Sequence, residues 1–337
     1  MSNLAVLVLA GLLGAPPVTV DRVGPAPPAE APAPGPFRAW FEGQSQHPSP
    51  LPPKVLEAAR AYRYVFIAGF LNEGFQVGYF SQNRRALLDA GVPPGAIELV
   101  FPKSGNTIEE NVAVLRRVLP ELAAKGPQKL VLIGHSKGAV EALAFMVAAP
   151  DFVRAHVHAA FLVQGAFGGS GIADYITGTG HPLDDRMQPF PRMLFALAAG
   201  WGELLDSRID GGFQSLTHQR AAELWQRLLP PAAGPGASRL PSGLAERTFF
   251  IRSQRDPDQV CPLLWITARY LATYYGANDG LMTVPDQWVP GTGQILADLN
   301  ADHTGLTVAG PVSDWPAGVR RAFTYALLMQ LAGAFSR

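Results

Sequence analysis

Short apolar runs recur along the chain, separated by stretches in which apolar residues return every three or four positions. The runs at Tyr64–Gly69, Ile97–Phe101, Leu130–Ile133, Val157–Val163, Thr248–Arg252 and Gln294–Leu299 read as strands. The intervening patterns predict helices at about Ser81–Leu88, Thr107–Ala124 and Ala139–Ala149, and a final helix beyond His303. Asn106 or Thr107 can cap the second of these, and Glu109 and Glu110 in its first turn suit the positive end of a helix dipole. Strand and helix in alternation predict an α/β fold: a mostly parallel central sheet with helices on both faces. No internal repeat is evident.

The most informative segment is Lys129–Val140, KLVLIGHSKGAV, in which Gly134-His135-Ser136-Lys137-Gly138 fits the G-x-S-x-G nucleophile elbow. The glycines let the chain reverse sharply between an apolar strand and a helix of small residues. That presents the Ser136 hydroxyl above the carboxyl edge of the strand. The bare pentapeptide is a weak signal; strand, elbow and helix in immediate succession are a much stronger one.

A serine hydroxyl needs a base, and the base needs an orienting acid. Behind such an elbow they follow the serine in chain order, and position removes most of the seven histidines. His47 lies in a Pro-rich leader, His135 adjoins Ser136 and should point away, and His156 and His158 border the next strand. His181 and His218 fall in the middle segment. That leaves His303, in Asn300-Ala301-Asp302-His303-Thr304-Gly305, as the candidate base. Three acids are candidates. Asp279 sits in an Asn278-Asp279-Gly280 turn, itself a common structural device. Asp256 closely follows a strand. Asp302 adjoins the base, where neighbouring side chains diverge. For the oxyanion hole, the backbone N–H of Lys137 is expected from the elbow, its charge lying at the surface, and that of Phe70 from the loop after the strand ending Ala68-Gly69.

On these residues the chain resembles the α/β-hydrolases of the lipase and esterase group. The Asn278-Asp279-Gly280-Leu281 turn, followed by a short loop, a strand and Asp302-His303, is similar to the acid and base segments of bacterial triacylglycerol lipases. The resemblance spans roughly Tyr62–Gln164 and Thr248–Leu306, and it ranks Asp279 ahead of Asp256 as the acid. It implies ester hydrolysis through an acyl-enzyme on Ser136, with a small-molecule or lipid ester as substrate. A thioesterase, a peptidase or a non-catalytic ligand-binding protein could be built on the same frame. The chemistry implied requires neither metal nor organic cofactor; some similar lipases carry a structural calcium, but no ligand cluster stands out. One departure is visible: the usual His-Gly before the oxyanion residue is Ala68-Gly69 here, so the histidine that often braces that loop is missing.

A segment at about 168–245 exceeds what the sheet needs. Insertions at this place in hydrolases often form a cap, which would exclude water and offer contact with a lipid interface. Met193–Trp201 is apolar and helix-like, and Leu194, Phe195, Leu197 and Trp201 are candidates for an acyl-chain wall; a second helix starts at Ser215-Leu216-Thr217.

Composition changes the picture little. At 337 residues the chain is long enough for one large domain, residues 37–337, behind a leader and linker. Lys+Arg and Asp+Glu are both 27, so overall charge favours neither nucleic acid nor an anionic membrane. The single cysteine, Cys261, leaves no intrachain disulfide and suits a small buried residue. Leu4–Ala15 is too short to span a bilayer and right for a signal-peptide core, although Met1-Ser2-Asn3 lacks a basic residue. With the Pro/Ala-rich linker Gly24–Pro36 it leans toward export; without a working leader the protein would be cytoplasmic.

Overall fold

The computed structural model describes residues 35–75, 77–181, 209–231, 234, 237–241, 243–310, 313 and 315–335. The apolar leader lies outside these residues, as do Leu194, Phe195, Leu197 and Trp201.

The chain opens with α1 (Pro36–Gln46) and α2 (Pro53–Ala59). Next come β1 (Tyr62–Ile67), the short α3 (Asn72–Phe75), α4 (Ser81–Asp89), β2 (Ile97–Val100) and α5 (Ile108–Ala123). The centre is β3 (Lys129–His135), α6 (Lys137–Ala148), α7 (Pro150–His156) and β4 (Val157–Val163). Between β4 and β5 (Thr248–Gln254) lie α8 (Gly171–Ile176), α9 (Ile209–Ser215) and α10 (His218–Leu228). The chain closes with α11 (Trp265–Tyr274), β6 (Gln294–Asn300) and α12 (Ala317–Leu331).

The six strands form one parallel sheet in the order β2-β1-β3-β4-β5-β6. Its central strands are mainly apolar because both of their faces are covered. Tyr64 and Phe66 of β1, Val131 and Ile133 of β3, and Phe161 and Val163 of β4 pack with α1, α2, α4 and α12. The alternate residues Val65, Ile67, Leu130, Leu132, Ala160 and Leu162 pack with α5, α6 and α10 on the opposite face. Successive strands run outward in opposite directions from the β1–β3 pair. The carboxyl ends of those two strands thus flank the crevice where sheets of this kind place their ligands.

Local chemistry fixes the helix ends. Thr107 caps α5 in a complete capping box: its side chain accepts from Glu110 N–H, and its own N–H donates to Glu110 Oε2 at 2.8 Å. Thr217 caps α10 by accepting from Arg220 N–H. Pro36, the expected end of the linker, is instead a first-turn residue of α1. His47, assigned to the leader, closes that helix. Phe37 and Phe41 point inward, and Phe41 meets Phe323 of α12 edge to face with ring centroids 6.3 Å apart.

Phe41→Ala should therefore lower the stability of the domain by about 3–5 kcal/mol, the usual cost of emptying a buried aromatic site. Urea unfolding followed by circular dichroism measures this. An unchanged midpoint would show that α1 is not docked on α12.

Candidate active site

Between β3 and α6 the chain turns on one residue. Ser136 has φ 57° and ψ −128°, backbone angles that side chains avoid and that cost about 1–3 kcal/mol. Three glycines make room for the turn. A Cβ on Gly134 would lie 2.7 Å from the Ala139 Cα, and one on Gly138 would lie 2.5 Å from the carbonyl oxygens of Ile67 and Ala68. At the end of β1, a Cβ on Gly69 would fall 2.6 Å from the Ser136 Cβ. The Ser136 N–H donates to the Val163 carbonyl at 3.0 Å, which ties the turn to β4 as well.

His303, in the loop after β6, comes to this turn. Its ring lies 4.7 Å, centroid to centroid, from that of His135. His303 Nδ1–H donates to Asp279 Oδ2 at 2.9 Å, and the His303 N–H donates to the Asp279 carbonyl at 2.8 Å. The other carboxylate oxygen, Oδ1, accepts from the N–H groups of Leu281 and Met282 at 3.0 and 2.8 Å. Asp279 is thus an acceptor fixed by its own turn, and its hydrogen bond to Nδ1 orients the His303 ring. Nε2 is buried and has no hydrogen-bond partner among the described residues.

The two rival acids lie elsewhere. Asp256 is exposed, and its carboxylate accepts from the Asp258 N–H. Asp302 is buried and shapes the base loop: Oδ1 accepts from the N–H groups of Thr304 and Gly305, and Oδ2 from that of Cys261 at 3.0 Å. Cys261 is buried, and desolvation pushes its thiol up to about 11.

Phe70 lies between two fixed neighbours. The Gly69 N–H donates to the Tyr79 hydroxyl at 2.9 Å, and the Leu71 N–H donates to Ser104 Oγ at 2.7 Å. Asn72 Nδ2 holds the loop from below by donating to the carbonyls of Gly69 and Pro102. Lys137 is the first residue of α6, where an N–H has no partner within the helix. Its side chain is not at the surface as expected but 1% exposed. The ammonium donates to the carbonyls of Ser104 and Asn106 and lies 3.6 Å from Glu141, one helical turn on. Carbonyl acceptors and a paired carboxylate make the buried charge tolerable, and such partners are invisible in sequence. They also couple the elbow to the Ser104 loop that supports Leu71.

Tyr79, Gln164, Asn72 and Ser104 were missed. Gln164 carried a usable signal, a polar residue directly after the apolar run of β4; Tyr79 carried none. Among the described residues four non-glycine positions have positive φ: Leu71, Phe80, Ser136 and Gln164. All lie in or beside the loops of this site, where backbone strain tends to gather. No group of three His, Cys, Asp or Glu side chains among the described residues is placed to hold a metal ion.

The six-stranded parallel sheet, the elbow after its third strand and the helices on both faces define the α/β-hydrolase fold. Solved structures agree. A metagenomic carboxyl esterase superposes with a TM-score of 0.65 at 20% identity, covering 98% of this chain and 99% of its own. The mature form of a lipase from Bacillus licheniformis gives a TM-score of 0.50 at 16% identity, covering 77% of this chain and 87% of its own. No protein-family model matches the sequence, and no curated protein matches it. No helix among the described residues is long and apolar enough to cross a membrane.

Burial raises the Glu141 carboxyl to about 7, against the opposing pull of Lys137. A carboxyl raised on folding stabilises fully below its unfolded value near 4.5 and loses that contribution as pH rises through about 7. Glu141→Gln cannot ionise. The melting-temperature difference, wild type minus Glu141→Gln, should therefore fall between pH 4.5 and 7.5 and level off above. A difference independent of pH would show that Glu141 ionises in this site as readily as in the unfolded chain.

Proposed function

We propose that the protein is a serine hydrolase that cleaves carboxylic esters through an acyl-enzyme. The observation that carries this reading is the Asp279–His303 hydrogen bond at 2.9 Å, assembled beside the strained Ser136 elbow from loops after different strands. His303 Nε2 takes the Ser136 proton as Oγ attacks the ester carbonyl. The imidazolium that forms is stabilised by Asp279. The N–H groups of Phe70 and Lys137 receive the oxyanion, and the pinned neighbours of Phe70 keep that donor in place. His303 then returns the proton to the leaving alcohol. Water, activated by the same nitrogen, hydrolyses the acyl-enzyme. An esterase and a lipase among the solved structures of this fold favour esters as the substrate class. The segment between β4 and β5 is proposed as the wall of the acyl pocket.

Hydrolysis of p-nitrophenyl esters from short to long acyl chains tests this. Ser136→Ala should lower kcat by about 10⁴-fold or more, and Asp279→Asn by about 10³–10⁴-fold, since both disable a unit that acts together. A fluorophosphonate should label Ser136 in the wild type. Turnover unchanged in Ser136→Ala would remove the serine from the reaction. An inert wild type that cleaves thioesters or amides instead would move the substrate class and leave the site.

A further inference from the structure

Beneath Ser136 runs a buried chain of polar groups that the reaction steps do not use. The Gly69 N–H donates to the Tyr79 hydroxyl at 2.9 Å, and that hydroxyl meets His135 Nδ1. His135 Nε2 lies 3.1 Å from Gln164 Oε1 and 3.0 Å from the His303 carbonyl. Gln164 Nε2 reaches Ser253 Oγ and, at 2.9 Å, the Asp302 carbonyl. Tyr79, His135 and Gln164 are each at most 3% exposed.

The protons along this chain have one consistent arrangement. The His303 carbonyl can only accept, which puts a proton on His135 Nε2; Nδ1 of the neutral ring then accepts from the Tyr79 hydroxyl, whose oxygen accepts from Gly69. His135 therefore carries its proton on Nε2 and donates toward both Gln164 Oε1 and the His303 carbonyl. With Oε1 accepting, the Gln164 amide donates to Ser253 and Asp302. A protonated His135 would set its Nδ1–H against the Tyr79 proton, so the arrangement needs a neutral ring. Burial supplies it, with His303 nearby: together they hold the His135 pKa well below its usual value.

The ends of the chain matter most. One end is the residue before Phe70. The other is the backbone of Asp302 and His303, whose opposite side is already fixed by the His303 N–H to the Asp279 carbonyl. Three of the four positive-φ residues belong to this chain or adjoin it: Gln164, Ser136 next to His135, and Phe80 next to Tyr79. Strain of that kind persists where the surroundings over-determine a conformation.

We propose that Tyr79, His135 and Gln164 are positioning residues that fix the Phe70 amide and the His303 ring relative to each other across the Ser136 turn. This rests on the serine-hydrolase reading above. Tyr79 thereby braces the Gly69–Phe70 loop from a point ten residues further along the chain. All three are buried and act through the Phe70 amide and the His303 ring.

Tyr79→Phe removes one hydroxyl, and His135→Leu removes the central link. Each is compared with wild type for kcat and KM on p-nitrophenyl butyrate, normalised to serine titrated to completion with a fluorophosphonate. Each is also compared in Ki for an alkyl trifluoromethyl ketone, which forms a hemiketal oxyanion on the serine. Positioning predicts a per-site kcat lower by about 10–100-fold with KM within about threefold, and a Ki weakened by a matching factor, because both depend on where the donor and the base stand. A purely structural role would lower the titrated fraction and leave Ki unchanged. Per-site kcat and Ki within about twofold of wild type in Tyr79→Phe would overturn the proposal. Should that variant not fold, Gln164→Met is read by the same two quantities. A wild type that neither reacts with the fluorophosphonate nor binds the ketone would overturn the serine-hydrolase reading itself, whereas a reactive wild type matched by its variants overturns the positioning alone.

Discussion

Three backbones meet at the carboxyl edge of the sheet with no side chain between them, and the site depends on that contact. Gly138 sits against the carbonyls that end β1, Gly134 against α6, and Gly69 against Ser136 itself. A methyl group at any of the three would overlap backbone or the Ser136 side chain at under 3 Å. The approach brings the loop after β1 against the start of α6 and against Ser136. It also makes the strained Ser136 affordable: β3 is paired on both sides, by β1 and β4, and its residues from Leu130 onward are buried. A single strained residue cannot relax without moving strands that the core holds on both faces.

Two imidazoles lie 4.7 Å apart at this edge, and their partners separate their roles. His303 is given a carboxylate. His135 is given a hydroxyl, an amide oxygen and a backbone carbonyl, none of them charged. Positive charge that develops during the proposed reaction thus has one place to go, beside Asp279, and the neighbouring ring does not compete for the proton. The same division by environment explains why Asp279 and Asp302, equally buried, act differently. Asp302 uses one oxygen for the amides and hydroxyl of its own loop and the other for the Cys261 amide, whereas Asp279 keeps one oxygen for the histidine.

The strands were legible because a sheet buried on both faces writes itself as unbroken apolar runs; Val157–Val163 came out with the expected ends. Ser136 was legible because a close backbone approach demands glycines at fixed offsets. The acid was only half legible: Asp256 and Asp279 both follow β5, and the outward turn of the Asp256 loop depends on contacts made far along the chain. The Arg255 N–H, for example, donates to the Asn278 carbonyl. Lys137 was misread because the acceptors that allow its burial come from a separate loop. Helix α1 was hidden by the density of proline before it, although Phe37 and Phe41 already stood one helical turn apart. Tyr79 had no signal, since its role is set by a hydroxyl reaching two groups distant in sequence.

The segment between β4 and β5 shares its foundations with the acid. Ser170 Oγ donates to the Leu281 carbonyl at 2.9 Å, and the Gly168 N–H donates to the Asp286 carbonyl at 2.9 Å, so the start of the segment is fastened to the turn that carries Asp279. His218, at the start of α10, extends this. Hydrogen bonds to Asp174 first and Asp286 second raise its pKa to about 10, and they keep it cationic at neutral pH between one carboxylate of the segment and one of the acid loop. The acid turn is therefore gripped from the base loop on one side and from the inserted segment on the other. Substitutions that reshape the proposed acyl wall leave the Asp279–His303 geometry intact only while these anchors at Gly168, Ser170 and His218 persist.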